Sequence, residues 1–119
     1  MAPMTGLSSS DPRELVAFAE AAVDQVNDLF RAGLGAEPAR FKGEGDFATE
    51  VDLHIEEQLR VTLSQLTGIP IFGEESGGAL EDTVWVVDPV DGTANYSAGN
   101  PCCGVLVSLL HEAKPIVAV

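Results

Sequence analysis

The sequence predicts an α+β chain in which two helices lie on a mainly antiparallel sheet. Two long stretches of helical apolar spacing come first, over about 12 to 32 and 50 to 66. Four short apolar runs follow, at 69 to 74, 83 to 88, 104 to 110 and 115 to 119, several of them β-branched. The last two are joined by the polar turn His111-Glu112-Ala113-Lys114, which suggests antiparallel neighbours. With 45% apolar and 21% charged residues over 119 positions, the composition is that of one small globular core.

Residues 1 to 9 are small and polar and read as a flexible tail. Asp11, Pro12 and Glu14 form a helix-start signal: an N-cap acid, proline at the first helical position, and glutamate at the third. Leu15, Phe18, Ala19, Ala22, Val23, Val26, Leu29 and Phe30 recur at helical spacing, with Glu20, Asp24 and Asp28 off the stripe, and Gly33 and Gly35 end the helix. Residues 35 to 48 are glycine-rich and charged, the composition of an exposed hairpin or loop. Lys42-Gly43-Glu44-Gly45 lacks the spacing of a phosphate-binding P-loop. Thr49 followed by Asp52 is a second capping pattern, and Val51, Ile55, Leu59, Leu63 and Leu66 form the second stripe, stopped at Thr67-Gly68. Asp52 then lies in the first helical turn, where the helix dipole favours its ionised form. His54 falls off the stripe and is expected in solvent.

Chemistry concentrates in the strands. Ile69-Pro70-Ile71-Phe72 breaks at Gly73 into Glu74, Glu75 and Ser76. Residues 76 to 82 have loop composition, with Glu81 and Asp82 solvated. Val84 to Val87 reads as a buried strand stopping at Asp88, where Pro89 turns the chain; Trp85 is expected to pack under the site. Gly92 would let the backbone approach a ligand, and a helix starting near Thr93 would aim free N–H groups at the same spot. Two adjacent strands delivering Glu74, Asp88 and Asp91 to one sheet edge would make an oxygen-only cluster suited to Mg²⁺. No Cys/His ligand set points to zinc.

A formal charge of −13 with no basic patch argues against nucleic acid or an anionic membrane as partner. There is no signal-peptide pattern at the start and no run of membrane-spanning length. Cys102 and Cys103 are adjacent and read as buried thiols of a cytoplasmic protein rather than a disulfide framework. His111 is expected at the surface. Pro115 to Val119 reads as a strand stopped in mid-course, so the chain is expected to be truncated and this strand to lack its natural neighbour.

Gly73-Glu74-Glu75-Ser76 followed by Trp85-Val86-Val87-Asp88-Pro89-Val90-Asp91-Gly92-Thr93-Ala94-Asn95-Tyr96 resembles the inositol monophosphatase family of Mg²⁺-dependent, lithium-sensitive phosphatases. The signature W-[VI]-[VI]-D-P-[IVL]-D-G-T-x-N-[FY] is met at every position, and Thr49-Glu50-Val51-Asp52 looks like the family's T-x-x-D element. Within the family the likeness is to the actinobacterial inositol-1-monophosphatase type. The resemblance implies the layered αβαβα sugar-phosphatase fold, with residues 10 to 119 as the N-terminal part of the domain and its C-terminal half absent. It implies that Asp52, Glu74 and Thr93 are catalytic, and that Glu74, Asp88, the carbonyl of Val90 and Asp91 hold two or three Mg²⁺ ions. Glu74, Val90, Asp91, Gly92 and Thr93 would contact substrate, and Glu75 would tune the attacking water from an outer shell. Lys42 sits where a loop of relatives helps to bind a third metal. The implied reaction is hydrolysis of a small phosphorylated polyol or sugar, foremost inositol 1-phosphate, by metal-activated water. Li⁺ is the implied inhibitor and a homodimer the implied full-length state. Fructose 1,6-bisphosphate, histidinol phosphate and phosphoadenosine phosphate are the alternative substrates, and an inactive cation-binding fragment is the alternative to an enzyme. Asp88 and Asp91 are separated by two intervening residues rather than one, which disfavours an aspartyl-phosphate nucleophile of the haloacid-dehalogenase kind. After Asp91-Gly92 the alternating oxygen ligands of a calcium hand do not continue. If the three acids share Mg²⁺, their oxygens should converge within a few Å and some should show raised pKa values without it.

Overall fold

A computed structural model of the chain describes residues 11–43 and 46–119; the tail expected at 1 to 9 lies outside them. Pro12–Ala32 forms the first helix, α1, with the predicted bounds. Asp11 caps it by accepting the Arg13 N–H at 3.0 Å, and Pro12 occupies the first turn, where a missing N–H costs no helical bond. Leu15, Ala19, Ala22 and Val26 are buried, and Phe18, Val23, Leu29 and Phe30 pack half-covered against the same core.

Pro38–Gly43 and Asp46–Thr49 pair antiparallel as a hairpin, β1 and β2. β1 is exposed along its whole length. The hairpin is anchored at its far end, where Ala48 and Thr49 are buried.

Glu50–Thr67 is the second helix, α2. Thr49 and Asp52 make the predicted capping box, each side chain serving the other residue's N–H, and Gly68 closes the helix at φ 69°, a left-handed conformation natural to glycine. Ile55, Leu59 and Leu63 are fully buried, each worth about 1.5–3 kcal/mol relative to exposure.

The main sheet contains β3 (Ile71–Gly73), β4 (Thr83–Asp91), β5 (Gly104–His111) and β6 (Lys114–Ala118), in that spatial order. β4–β5 and β5–β6 are antiparallel, as predicted. β3 runs parallel to β4, with Ile71 opposite Trp85 and Gly73 opposite Val87. Both strands therefore end at the same sheet edge, and that edge receives Glu74, Glu75 and Asp88. Trp85, Val87, Val107, Leu109 and Val117 join the core under the helices, α2 over β3 and β4 and α1 over β5 and β6. On the strand positions alternate to these, Leu106 and Ile116 stay exposed, and β6 forms an edge of the sheet.

Two strand bounds differ from expectation. β3 is shorter than 69 to 74, and β4 continues past Asp88 and Pro89 to Asp91. The continuation is possible because the ladder is irregular there: Asp88 pairs with Leu106 and Asp91 with Gly104, three steps on β4 against two on β5. The extra residue is a bulge, where proline's missing N–H breaks no regular pairing. It also resets the alternation of the strand, so two acids three residues apart need not point to opposite faces.

The β5–β6 turn holds Glu112 at φ 51° and Ala113 at φ 67°. Both central residues are left-handed, the pattern of a hairpin turn that asparagine and glycine fill without strain. Ala113→Gly is accordingly expected to stabilise the fold by about 0.5–1 kcal/mol, against the usual helix or strand penalty for glycine. Chemical denaturation of the two proteins measures the difference.

Candidate active site

Asp52 is fully buried at the start of α2. Its Oδ1 accepts the Thr49 N–H at 3.0 Å and the Thr49 hydroxyl, which leaves Oδ2 for a different partner. That partner is Thr93, whose hydroxyl lies 3.2 Å from Asp52 Oδ2 and 3.0 Å from the Val90 carbonyl. One hydroxyl proton serves two acceptors, and the Thr93 oxygen keeps its lone pairs as an acceptor. The capping box thus holds a carboxylate against a threonine far along the chain.

Thr93–Ser97 forms a short helix, α3, starting where the sequence predicted. Gly92 precedes it at φ 83°. A Cβ there would stand 2.9 Å from the Cys102 carbonyl, so the close approach that requires glycine is to the chain itself at Cys102–Cys103. Asn95 Nδ2 donates to the same carbonyl at 3.0 Å. Tyr96, the last motif position, is buried, and its hydroxyl donates to the Phe30 carbonyl at 2.7 Å. Burial, with the charge of Asp52 adding to it, pushes its phenol up to about 12. These two motif residues tie α3 to the rest of the fold.

Asp88 is the most perturbed acid at the edge. Its pKa is pushed up to about 7 by burial first, then by a hydrogen bond to Glu74 and the charges of Glu74 and Asp91; a hydrogen bond from the Val90 N–H pulls it partly back. Its Oδ1 is buried with no hydrogen-bond partner. A carboxyl oxygen in that condition is costly unless a cation meets it. The donors at hand are all oxygen, from Glu74, Asp88, Asp91 and the Val90 carbonyl, the set a hard divalent cation takes. In donor chemistry the residues therefore suit such an ion.

The expected convergence of three carboxylates on one point is corrected: among the described residues no three His, Cys, Asp or Glu side chains are placed to hold a metal ion together. Like charges repel without a cation between them, and Glu74 is also drawn elsewhere. Lys42, on the exposed hairpin, reaches back to the sheet edge and donates to Glu74 Oε2 at 3.3 Å and to Glu75 Oε1 at 3.2 Å. Burial would lower the Lys42 ammonium, but hydrogen bonds and charges from Glu75 and Glu74 outweigh it and hold the pKa above its ordinary value. Glu75 is raised, by burial before anything else, with Lys42 opposing and Asp52 and Glu74 assisting. Arg40 pins the hairpin to the same turn by donating to the Glu75 carbonyl at 2.6 Å.

Sequence reasoning missed Glu56 and Arg60. Glu56 is buried on the inner face of α2, and its carboxylate accepts the N–H groups of Glu75 and Ser76, each at 2.7 Å, and the Ser76 hydroxyl. Arg60 donates to the carbonyls of Ile71 and Gly77 at 3.0 and 2.9 Å and to Ser76 Oγ at 2.8 Å. The signal was available: Glu56 sits between Ile55 and Leu59 on the apolar stripe, one turn after Asp52 and one before Arg60.

Other expectations divide. His54 and His111 are exposed. Trp85 is buried and donates to Thr67 Oγ1 at 3.0 Å, at the far end of α2 from Asp52, so it packs in the core away from the site rather than beneath it. Cys103 is half-buried but Cys102 is exposed, which corrects the expectation of two buried thiols; the turn at Pro101 leaves Cys102 on the outside.

Comparison with known proteins identifies the family and the fold. The profile of the inositol monophosphatase family matches residues 11–119. A Mycobacterium tuberculosis protein named "Probable inositol 1-monophosphatase ImpA" is 47% identical over 107 residues, covering 88% of this chain and 40% of its own length. The inositol-1-monophosphatase ImpA of Mycolicibacterium smegmatis is 43% identical, covering 98% of this chain and 44% of its own. Among solved structures, an IMPase from Thermotoga maritima superposes with a TM-score of 0.79 at 21% identity, over 86% of this chain and 41% of that one, a likeness of fold. The chain thus spans less than half the length of the curated relatives it matches. With its signature turn, its capped Asp52 and a profile match over every residue described, the chain belongs to the inositol monophosphatase family.

Proposed function

We propose that this chain supplies one part of the active site of a Mg²⁺-dependent phosphatase that hydrolyses a small phosphate monoester, with inositol 1-phosphate the favoured substrate. The observation that carries the proposal is the half-buried Asp88 carboxyl, whose Oδ1 is covered and unpartnered, with Glu74 and Asp91 beside it. Glu74, Asp88, the Val90 carbonyl and Asp91 would hold the cation. Bound there, Mg²⁺ supplies a lowered pKa to water and positive charge for phosphoryl oxygens and the leaving alkoxide.

The chain's own residues do the rest. Asp52, desolvated and fixed by Thr49, orients the Thr93 hydroxyl and accepts its proton as Thr93 takes one from the attacking water. The Gly92 and Thr93 N–H groups would hold phosphate oxygens at the start of α3. Glu75 acts from outside this set, on the site's electrostatics. Li⁺ is proposed as an inhibitor that competes for the carboxylates. The proposal includes a homodimer of the cytoplasm; among the described residues no helix is long and apolar enough to cross a membrane.

The test is a panel of inositol 1-phosphate, fructose 1,6-bisphosphate, histidinol phosphate and phosphoadenosine phosphate, assayed on the complete protein with and without Mg²⁺. Inositol 1-phosphate should turn over fastest, only with Mg²⁺, and Asp91→Asn should lower turnover by about a hundredfold or more. Near wild-type activity of Asp91→Asn at modest Mg²⁺ would refute the assigned role.

A further inference from the structure

We infer that Glu56 is a positioning residue for the metal site: its carboxylate clamps the turn that carries Glu74 and Glu75, and so sets the site's affinity for Mg²⁺. The inference rests on the proposed metal site and adds a residue to it that touches no metal, substrate or reacting atom.

Three observations carry it. The clamp is bidentate and buried: one Glu56 oxygen takes the Glu75 N–H and the other the Ser76 N–H, both at 2.7 Å, and the Ser76 hydroxyl joins the second. Hydrogen bonds to an ionised acceptor are the strong kind, and burial removes water as a competitor. The turn is built around the carboxylate, because a Cβ on Gly73 would overlap the Glu56 carboxyl group, which its own bonds hold in place. The turn then has little freedom left: Gly73 and Gly77 exchange backbone bonds at 2.9 and 2.8 Å, and the Glu74 N–H donates to the Val87 carbonyl at 3.1 Å. Glu74 emerges from this frame beside Asp88, whose carboxyl feels its charge.

The same helix face supplies the other half of the site. Asp52, Glu56 and Arg60 follow at intervals of four residues, about 6 Å along the axis per interval. Asp52 holds Thr93, Glu56 holds the Glu74–Glu75 turn, and Arg60 grips the turn's base through Ile71, Ser76 and Gly77. Arg60 also stands 3.6 Å from Glu56 Oε2 and offsets its buried charge. The distance between a metal-ligand turn and the proton-accepting pair is thereby set by one rigid element.

The decisive variant is Glu56→Gln in the complete protein. The amide keeps the shape but presents a donor to one of two N–H groups, so the turn loosens. Mg²⁺ binding measured by calorimetry, and Mn²⁺ binding by electron paramagnetic resonance, should weaken roughly tenfold, the scale of an outer-shell loss. The Mg²⁺ concentration for half-maximal turnover should rise with them, while kcat at saturating Mg²⁺ stays within about threefold, because Thr93 and Asp52 are untouched. Ser76→Ala, on an exposed residue, removes the hydroxyl that donates to Glu56 and accepts from Arg60 but keeps both N–H groups of the clamp, and should shift Mg²⁺ binding the same way by a smaller factor. A lowered melting temperature with unchanged Mg²⁺ and Mn²⁺ binding would make Glu56 merely structural and overturn the inference. If Glu56→Gln does not fold, unchanged binding in Ser76→Ala and Arg60→Met together overturns it equally. Absence of Mg²⁺ binding by the unsubstituted protein defeats both this inference and the proposed function, whereas binding without phosphatase turnover defeats only the latter.

Discussion

Asp88→Asn is expected to make the metal-free protein more stable at pH 8 while removing its response to Mg²⁺. The two effects have opposite signs and one cause. The Asp88 carboxyl has a folded-state pKa of about 7 against an ordinary 3.8, raised by burial and by Glu74. Below pH 3.8 the acid is protonated folded or unfolded, and its favourable neutral form is fully present. Between 3.8 and about 7 the unfolded chain ionises while the folded one keeps its proton, so the folded state loses relative stability as pH rises. Above that window the loss is complete.

Asparagine removes this titration and keeps the shape. Thermal melts in a chelator from pH 4 to 8 should therefore show a decline in the parent that is shallower in the variant; parallel curves would sink the assignment. Mg²⁺ should act on the parent as the opposite lever. It competes with the Asp88 proton, so its affinity should rise with pH up to about 7 and its binding should release protons below that point. In the variant, phosphatase turnover should fall by about a thousandfold, the scale of several kcal/mol that a Lewis-acid cation contributes.

Thr93→Ala is expected to lower kcat by about a hundredfold to a thousandfold, within the range of a lost general-base relay, with Mg²⁺ affinity changed by less than about twofold. The hydroxyl bonds Asp52 at 3.2 Å and the Val90 carbonyl at 3.0 Å, and neither bond holds an acid at the sheet edge. Removing it leaves Asp52 tied to Thr49 and the α2 cap intact. Asp52→Ala would be a poorer probe. It would strip the buried Thr49 N–H of its acceptor, which costs about 1–3 kcal/mol of stability and blurs catalysis with folding. Single-turnover kinetics at saturating Mg²⁺ makes the measurement; an unchanged rate for Thr93→Ala would remove Thr93 from the chemistry.

Both helices were legible because their signals are local. Asp11-Pro12 and Thr49-Asp52 mark the starts, Gly68 an end, and the stripes at Leu15 to Val26 and Ile55 to Leu63 the buried faces. The turn at Asp88 to Thr93 was legible as a motif, and Thr93 from it meets Asp52. What sequence could not show is tertiary. No local pattern says that β3 runs parallel to β4, or that the strand continues through Pro89, since the bulge that permits it depends on the register with β5. The reach of Lys42 from an exposed strand to Glu75 crosses 33 residues. Glu56 was hidden differently. A glutamate on a helix is ordinarily a solvated one, and only the apolar residues on either side of it marked this position as an inward one.

The stripe of Asp52, Glu56 and Arg60 also sets what kinds of sequence change α2 can absorb. Each residue of a helix advances the side chain by about 100°, so one residue inserted or deleted between Asp52 and Glu56 would swing Glu56 and Arg60 off the turn at Gly73–Gly77 while Asp52 stayed with Thr93. The segment from 52 to 60 can drift in composition on its outer face, at Glu57 and Gln58, but its length is fixed. Residues 79 to 81 carry no such constraint: all three are exposed, and they lie between the last contact of Arg60 at Gly77 and Asp82, whose carbonyl accepts the Glu112 N–H. Chains built on this frame are therefore free to differ in length between the Glu74 turn and the Asp88 strand, and rigid in length along the helix that spaces them.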